Sequence, residues 1–390
     1  MSTRLNSLLE AQSRLFRGGL AELFILSGAF KRPPFFNLSL AAICLSALSL
    51  HAMPPSCRPL NSFEQGHELR QNQMMAAYNA TARVDVRGSW DLYFTGSYIF
   101  WQPREENLEL GILNDGASTI ALPIDGRVIN MNFQYKSGFK TGMGIFTDWD
   151  NWDAYVEYTW LTGHHRSRAT AATGHCILPF WGHPANVSPT TIYSAKSRWN
   201  LELNIIDAQL ARSYYVGTKL TFRPFFAGRA AWINQSYTAA YTQTGALTYA
   251  IRNSSHSWGV GPEAGLTTHW LLGYGVRLIG TAEADVLFTR YNLRYQEENS
   301  TTPSTNAVSF HQRHVMYLRP HTNLEFGLGW GSYFCNHNYH FDILGTYGFQ
   351  VFWNQNMFRN FVDNVSVGKS YVPGGDLYIH GATGELRFDF

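Results

Sequence analysis

After residue 88 the chain alternates apolar and polar positions in one long run after another, the period-two pattern of strands with one dry and one wet face. The last run, LYIHGATGELRFDF, keeps this rhythm to the final residue. Tyr378, Ala382, Gly384, Leu386, Phe388 and Phe390 share one face, and Thr383, Glu385, Arg387 and Asp389 the other. The first, SWDLYFTGSYIFW, sets Trp90, Leu92, Phe94, Tyr98 and Phe100 against Asp91, Thr95 and Ser97. Between them lie RVINMNFQYKSGFKTGMGIF, WDAYVEYTW, SRWNLELNIIDAQLARSYYV, KLTFRPFFAGRAAWINQ, HSWGVGPEAGLTTHW, YGVRLIGTAEADVLFTRY, VMYLRPHTNLEFGLGW and NYHFDILGTYGFQVFW. In the fourth of the ten runs Trp199, Leu201, Leu203 and Ile205 face one way. The pattern predicts ten strands, with twelve as the alternative.

The connections alternate in length. Brief turns fall near 148–151, 216–218, 271–273 and 332–337, whereas 103–126, 164–195, 296–308 and 355–373 are long and 240–247 is intermediate. An even number of antiparallel strands joined alternately by short turns and long loops is the plan of a transmembrane β-barrel, all-β, with both barrel termini periplasmic. Trp90, Trp152, Trp160, Trp199, Trp232, Trp330 and Trp353 stand near strand ends, where an aromatic girdle meets lipid headgroups.

Composition agrees with this plan. Charged residues make up 15% of the 390 and aromatics another 15%, with a mean hydropathy of −0.20. A chain so poor in charge, yet not hydrophobic overall, hides its apolar residues by alternation. A soluble β-sandwich shares that composition; the rhythm of turns and loops favours the barrel.

Lys31 and Arg32 precede an apolar run over 35–50, and Ala52 follows it, the basic, apolar, small-residue order of a secretory signal. The chain then divides into an N-terminal extension plus signal peptide (1–52), a periplasmic or lumenal leader (53–87) and the barrel (88–390). Helix formers after Asn61 and Ser62 give the leader a helical reading, disorder being the alternative. Removing 1–52 takes away five basic and two acidic residues and moves the formal charge from +2 to −1, leaving no nucleic-acid partner. Cys57, Cys176 and Cys335 remain, an odd number in an exported chain. That count suggests a free thiol or an intermolecular bridge, in a homo-oligomer or to other envelope proteins, with one internal pair plus a spare as the alternative.

Several long blocks carry a resemblance. YYVGTKLTFRPFFAGRAAWINQSY, SWGVGPEAGL with HWLLGYG, LRPHTNLEFGLGWGSYF and the closing LRFDF resemble the Legionella-type major outer-membrane proteins, a family also found, as MOMP-like proteins, in environmental chlamydiae. The resemblance spans 88–390 and implies a pore-forming outer-membrane barrel, sometimes in contact with host-cell surfaces, without a catalytic motif.

Alternation marks the inward residues. Arg223, Arg229, Arg277, Glu283, Asp285, Arg319, Glu325, Arg387 and Asp389 are the candidate pore-lining charges, with Glu157, Glu202 and Glu385 beside them. A polar lumen passes small solutes by diffusion; the alternative is that these charges pair and fill a narrow interior. Lipid and lipopolysaccharide are the outward partners. Leu386, Phe388 and Phe390 resemble the terminal signal read by the β-barrel assembly machinery. A hydrolase would need a histidine with a carboxylate partner, and His164, His165, His175 and His183 lie in a stretch, 164–195, that holds no Asp or Glu. His175, Cys176 and His183 lack the paired spacing of a metal site, and GVGPEAG (259–265) precedes no helix, so neither a metal, a cofactor nor a phosphate cradle is expected.

Overall fold

The computed structural model describes residues 80–88, 90–114, 125–184, 186–187, 192–245, 247–300, 308–363 and 368–390. The signal segment, most of the leader and Cys57 lie outside the described residues. Ten long strands build one antiparallel sheet, to which the two residues Tyr214–Tyr215 add a short pairing. They are β1 (Leu92–Glu105), β2 (Lys136–Phe146), β3 (Trp152–Thr170), β4 (Ile192–Arg212), β5 (Leu220–Gln243), β6 (Thr248–Gly273), β7 (Val276–Asn299), β8 (Val308–Phe334), β9 (Tyr339–Phe352) and β10 (Leu377–Asp389). Each pairs with its neighbour in sequence, and β10 pairs with β1, Phe388 opposite Phe94 and Gly384 opposite Tyr98. The sheet is therefore a closed ten-stranded barrel with no open edge to leave backbone groups unpaired in lipid. Among the described residues there is no helix.

The wall is uneven. β3 to β8 have from 19 to 27 residues, whereas β9, β10, β1 and β2 have 11 to 14. A strand needs about 9–11 residues to cross the hydrocarbon layer, so the long wall stands well beyond it. The connections expected at 164–195, 240–247 and 296–308 are correspondingly shorter. β3 stays in the ladder with β4 as far as Thr170, although its outward positions past Trp160 are Thr162, His164, Arg166, Arg168 and Thr170. Those polar positions break the apolar alternation without breaking the strand.

The apolar face changes sides partway up the wall. Near the short turns the outward rows are apolar: Leu278, Val286 and Phe288 on β7, and Leu324, Phe326, Leu328 and Trp330 on β8, are all exposed on the barrel surface. Higher up, apolar side chains point inward and are buried, as Tyr237, Ala239 and Tyr241 are on β5 and Tyr291, Leu293 and Tyr295 on β7. Adjacent apolar pairs mark the change: Phe100–Trp101, Trp160–Leu161, Ile205–Ile206 and Trp232–Ile233. In each, one member faces lipid and the other is buried inside.

Residues 80–88 cross the turn end in extended form. Thr81 bridges Tyr214, Ala82 N donates to Ser213 O (3.1 Å) and Arg87 N to His337 O (2.8 Å). This described part of the leader is not helical. Just inside, the rings of Tyr93 and Tyr155 stack at 5.6 Å, in space that Gly142 and Gly144 of β2 leave free. A Cβ on Gly144 would run into the Tyr93 ring. Gly144→Val is expected to destabilise the barrel by about 1–3 kcal/mol, the usual range for overpacking. The check is heat-modifiable migration in gels, where the folded band should be lost at a lower temperature than for wild type.

Candidate functional site: the barrel interior

The interior has three layers. At the turn end, Arg223 Nη2 donates to Asp153 Oδ2 (2.9 Å), which also accepts from Tyr93 Oη (3.2 Å). Arg387 Nη2 donates to Asp389 Oδ1 (2.6 Å) and its guanidinium lies 3.8 Å over the Tyr93 ring, while Arg277 Nη2 donates to Asp342 Oδ2 (2.5 Å). His340 Nδ1 stands 3.0 Å from Asp389 Oδ2.

The middle layer is organised by Arg229. Its Nε donates to Asp207 Oδ1 and its Nη1 to Asp285 Oδ2, both at 2.6 Å. Nη2 is 2.9 Å from Glu263 Oε1 and 3.4 Å from Glu283 Oε2. His321 Nδ1 lies 2.6 Å from Asp285 Oδ2. One guanidinium thus serves four carboxylates, its planar fork offering several directed donors where a lysine offers a single point of charge. Lys140, paired with Glu157 at 3.1 Å, adds the next positive charge. Glu325 accepts from Thr346, and Glu385 Oε2 from Ser97 Oγ (3.2 Å). Carboxylate still exceeds cation here. Among the described residues Glu263 Oε2, Asp285 Oδ1 and Asn323 Oδ1 are buried without a hydrogen-bond partner, so this layer calls for water. The cavity within it, bounded by Lys140, Glu157, Asp207, Arg229, Glu283 and His321, holds about 20 Å³, room for one water molecule.

The third layer, toward the loops, is an apolar core. Ile99, Trp101, Leu161, Trp199, Leu203, Ile233, Tyr237, Tyr241 and Ile251 of the wall close around Leu108, Leu110, Trp181 and Phe358 from the connections. The wall holds this plug by its backbone. Tyr241 Oη donates to Leu110 O (2.6 Å) and Tyr237 Oη to Leu108 O (3.3 Å). The buried Glu297 of β7 accepts from His183 N (2.9 Å) and Tyr295 Oη (2.8 Å), and within the plug Asn360 Nδ2 of the β9–β10 connection donates to Phe180 O (2.6 Å).

Of the sequence-derived inward charges all but Glu202 point into the lumen, and the structure brings most of them together by pairing. Arg319 is the outlier: it stands opposite Leu287, one inward position along from the Asp285–His321 pair, yet it donates to Tyr291 Oη (3.1 Å) beneath the plug and not to the Arg229 carboxylates. Asp207, Glu263, His321, Lys140, Asp153 and Asp342 complete these clusters and were legible only by extending each alternation. Glu202 is corrected: it faces outward, in register with Thr162. Trp199 is corrected too. It is fully buried inside the barrel, with its indole 5.3 Å from the His165 ring and 5.7 Å from Phe133, because β4 changes its apolar face at Ile205–Ile206. Trp90, Trp232, Trp330 and Trp353 are exposed, and Trp152 and Trp160 share the outward parity of Val156.

Cys176 and Cys335 are both free thiols, so no internal bridge joins them. Cys176 is buried beside Asn114 in a small sheet of Gly111–Asn114, Gly126–Ile129 and Cys176–Pro179, while Cys335 is exposed in the β8–β9 turn. Of the histidines at 164–183, His164 faces outward and His165 is buried inside; the paired imidazole–carboxylate contacts lie elsewhere, His321–Asp285 in the middle layer of the lumen and His340–Asp389 at its turn end. Among the described residues no cluster suited to a metal ion is present. Arg229→Leu leaves four buried carboxylates without their cation and is expected to cost about 3–5 kcal/mol. Urea unfolding in detergent checks this, and adding Glu263→Gln and Asp285→Asn should return part of the loss.

Solved barrels offer only distant likenesses. The outer membrane protease OmpT from Escherichia coli aligns over 80% of this chain and 100% of its own, at 8% identity and a TM-score of 0.40. The translocator domain of the autotransporter NalP from Neisseria meningitidis covers 84% and 95%, at 10% identity and 0.32. A Pseudomonas aeruginosa FadL homologue covers 77% and 89%, at 9% and 0.26. None is similar enough to carry a function across. No curated protein matches the chain in sequence. The family described as Legionella pneumophila major outer membrane protein precursor matches residues 85–388, nearly the whole barrel. The chain belongs to that family, and is a β-barrel protein of the bacterial outer membrane.

Proposed function

We propose that the protein is a narrow porin, passing small ions by diffusion, with its loop end outside, its short turns periplasmic and its apolar plug as the gate. The contrast between the two halves of the lumen carries this reading. Where the barrel is closed it is filled with apolar side chains, the packing that excludes water at least cost. At the level of the lipid it holds charge instead, although buried ion pairs add little or nothing to stability over an apolar filling. Charges kept where they do not help the fold are suited to solvating ions in transit. The excess of carboxylate around Arg229 and Lys140 favours cations.

A second reading, a surface structural or adhesive barrel, is favoured by one feature. A cleft of about 620 Å³ at the loop end is lined by Phe180, Trp181, Phe361 and Tyr371. One experiment separates the two. In planar bilayers under a salt gradient, the full chain is expected to give small steps whose reversal potential moves toward that of the cation. Tyr237→Phe with Tyr241→Phe should lengthen the openings by releasing the plug carbonyls. A silent bilayer from folded wild type and folded double variant alike would sink the porin and leave the surface barrel.

The terminal row Leu386, Phe388 and Phe390 is read as the signal to the assembly machinery. Phe390 stacks on Phe94 of β1 at 5.6 Å, so the same ring also covers the seam. Deleting Phe390 is expected to lower the inserted fraction in cells; unchanged surface display would remove the signal role.

A further inference from the structure

We infer that the outward face of β3 and β4 above the lipid band is a binding site for the phosphate groups of an outer-leaflet glycolipid. This rests on the loop end facing outside, as proposed above. The ladder sets Arg166 directly opposite Arg198 and Arg168 directly opposite Lys196. All four side chains are exposed, and among the described residues none forms an ion pair or a side-chain hydrogen bond. Like charges in register across a ladder repel and destabilise it. Two such pairs side by side make a square of four cations that an anion would relieve.

The same wall neutralises its charge elsewhere. On β6, Arg252 Nη1 pairs with Glu298 Oε1 of β7 at 2.7 Å. The acidic residue sharing the face of the four cations, Glu202, is four residues along β4 from Arg198, about 13 Å away at the usual strand rise.

Position selects the class of anion. The outward row of β3 climbs from Val156 through Tyr158 and Trp160 to His164, Arg166 and Arg168. The tryptophan marks the headgroup level. Six residues further, at about 3.3 Å per residue and about 40° of tilt, Arg166 stands roughly 15 Å higher. A ligand there lies alongside the barrel, in the layer of phosphorylated sugars. Guanidinium groups bind phosphate through paired, charge-assisted hydrogen bonds.

The test uses the full chain in detergent, with native mass spectrometry against a lipopolysaccharide carrying a phosphorylated core oligosaccharide and the same glycolipid with its core phosphates removed. Wild type should retain the phosphorylated form about tenfold better than the Arg166→Gln, Arg168→Gln, Lys196→Gln, Arg198→Gln variant, and Arg252→Gln should match wild type. A second variant, Arg166→Glu with Arg168→Glu, turns both like pairs into opposite ones. It should melt no lower than wild type and still lose the lipid. Equal retention by wild type and both variants, or indifference to the phosphates, overturns the site. So does displacement by equimolar inorganic phosphate or by dextran sulfate, which would assign the square to a free anion or to a sulfated glycan. Conductance unchanged in both variants would keep this result separate from the pore.

Discussion

One constraint shapes this barrel: water and lipid make opposite demands on the same strand. Within the hydrocarbon layer the outward positions must be apolar, because nothing there solvates a polar group. Above it, the outward positions meet water and the inward ones become the only place to bury apolar surface. A strand has only two faces, so its apolar row must change sides at the membrane boundary. Ile205 and Ile206 show the change within two residues, the first buried inside and the second on the outward face. Trp160–Leu161 and Trp232–Ile233 repeat it at the same height, since Trp160 and Trp232 are each in register with Asn204.

That change of face explains why one barrel contains two unlike interiors. Above the boundary, Tyr237, Tyr241, Leu203 and Ile233 give the connections an apolar surface to fold onto, and Leu110, Trp181 and Phe358 occupy it as a soluble protein core would. Below it, the outward face takes the apolar residues and the inward face is left to Asp207, Arg229, Glu263 and Asp285. Each of these charges survives burial only through its neighbours. Arg229 is central because a planar guanidinium reaches carboxylates on β4, β6 and β7 at once.

The fold was legible in the sequence to the extent that alternation and lipid act together. The ten strands, the closing pair of β10 with β1 and the short turns all follow from outward apolar rows such as Leu386, Phe388 and Phe390. Strand lengths were not, because His164, Arg166 and Arg168 read as loop once lipid no longer dictates the outward face. Trp199 was misplaced for the same reason: its alternation is correct but its phase belongs to the plug. The apolar doublets were the overlooked signal. The lumenal charges were found one strand at a time, whereas their convergence on Arg229 depends on cross-strand register, which no single strand contains. That two thiols lie at opposite ends of a closed wall was likewise invisible to a cysteine count.

The wall and the plug are also separable in energetic terms. The ladder from β1 round to β10 closes without any contribution from the plug, so the barrel's backbone groups are satisfied whichever way the connections lie. The plug is attached by side-chain donors of the wall, Tyr237 and Tyr241, acting on its carbonyls, and by apolar contact. Each such hydrogen bond is worth only about 0.5–1.5 kcal/mol net, because water offers the same carbonyl a replacement. The lower layer has no comparable freedom. Its guanidinium and carboxylates project from the ladder itself, and separating them would mean opening the wall. The weaker attachments therefore lie at the apolar end and the fixed charge at the polar end, the division of labour that the proposed gate above a selective constriction would require.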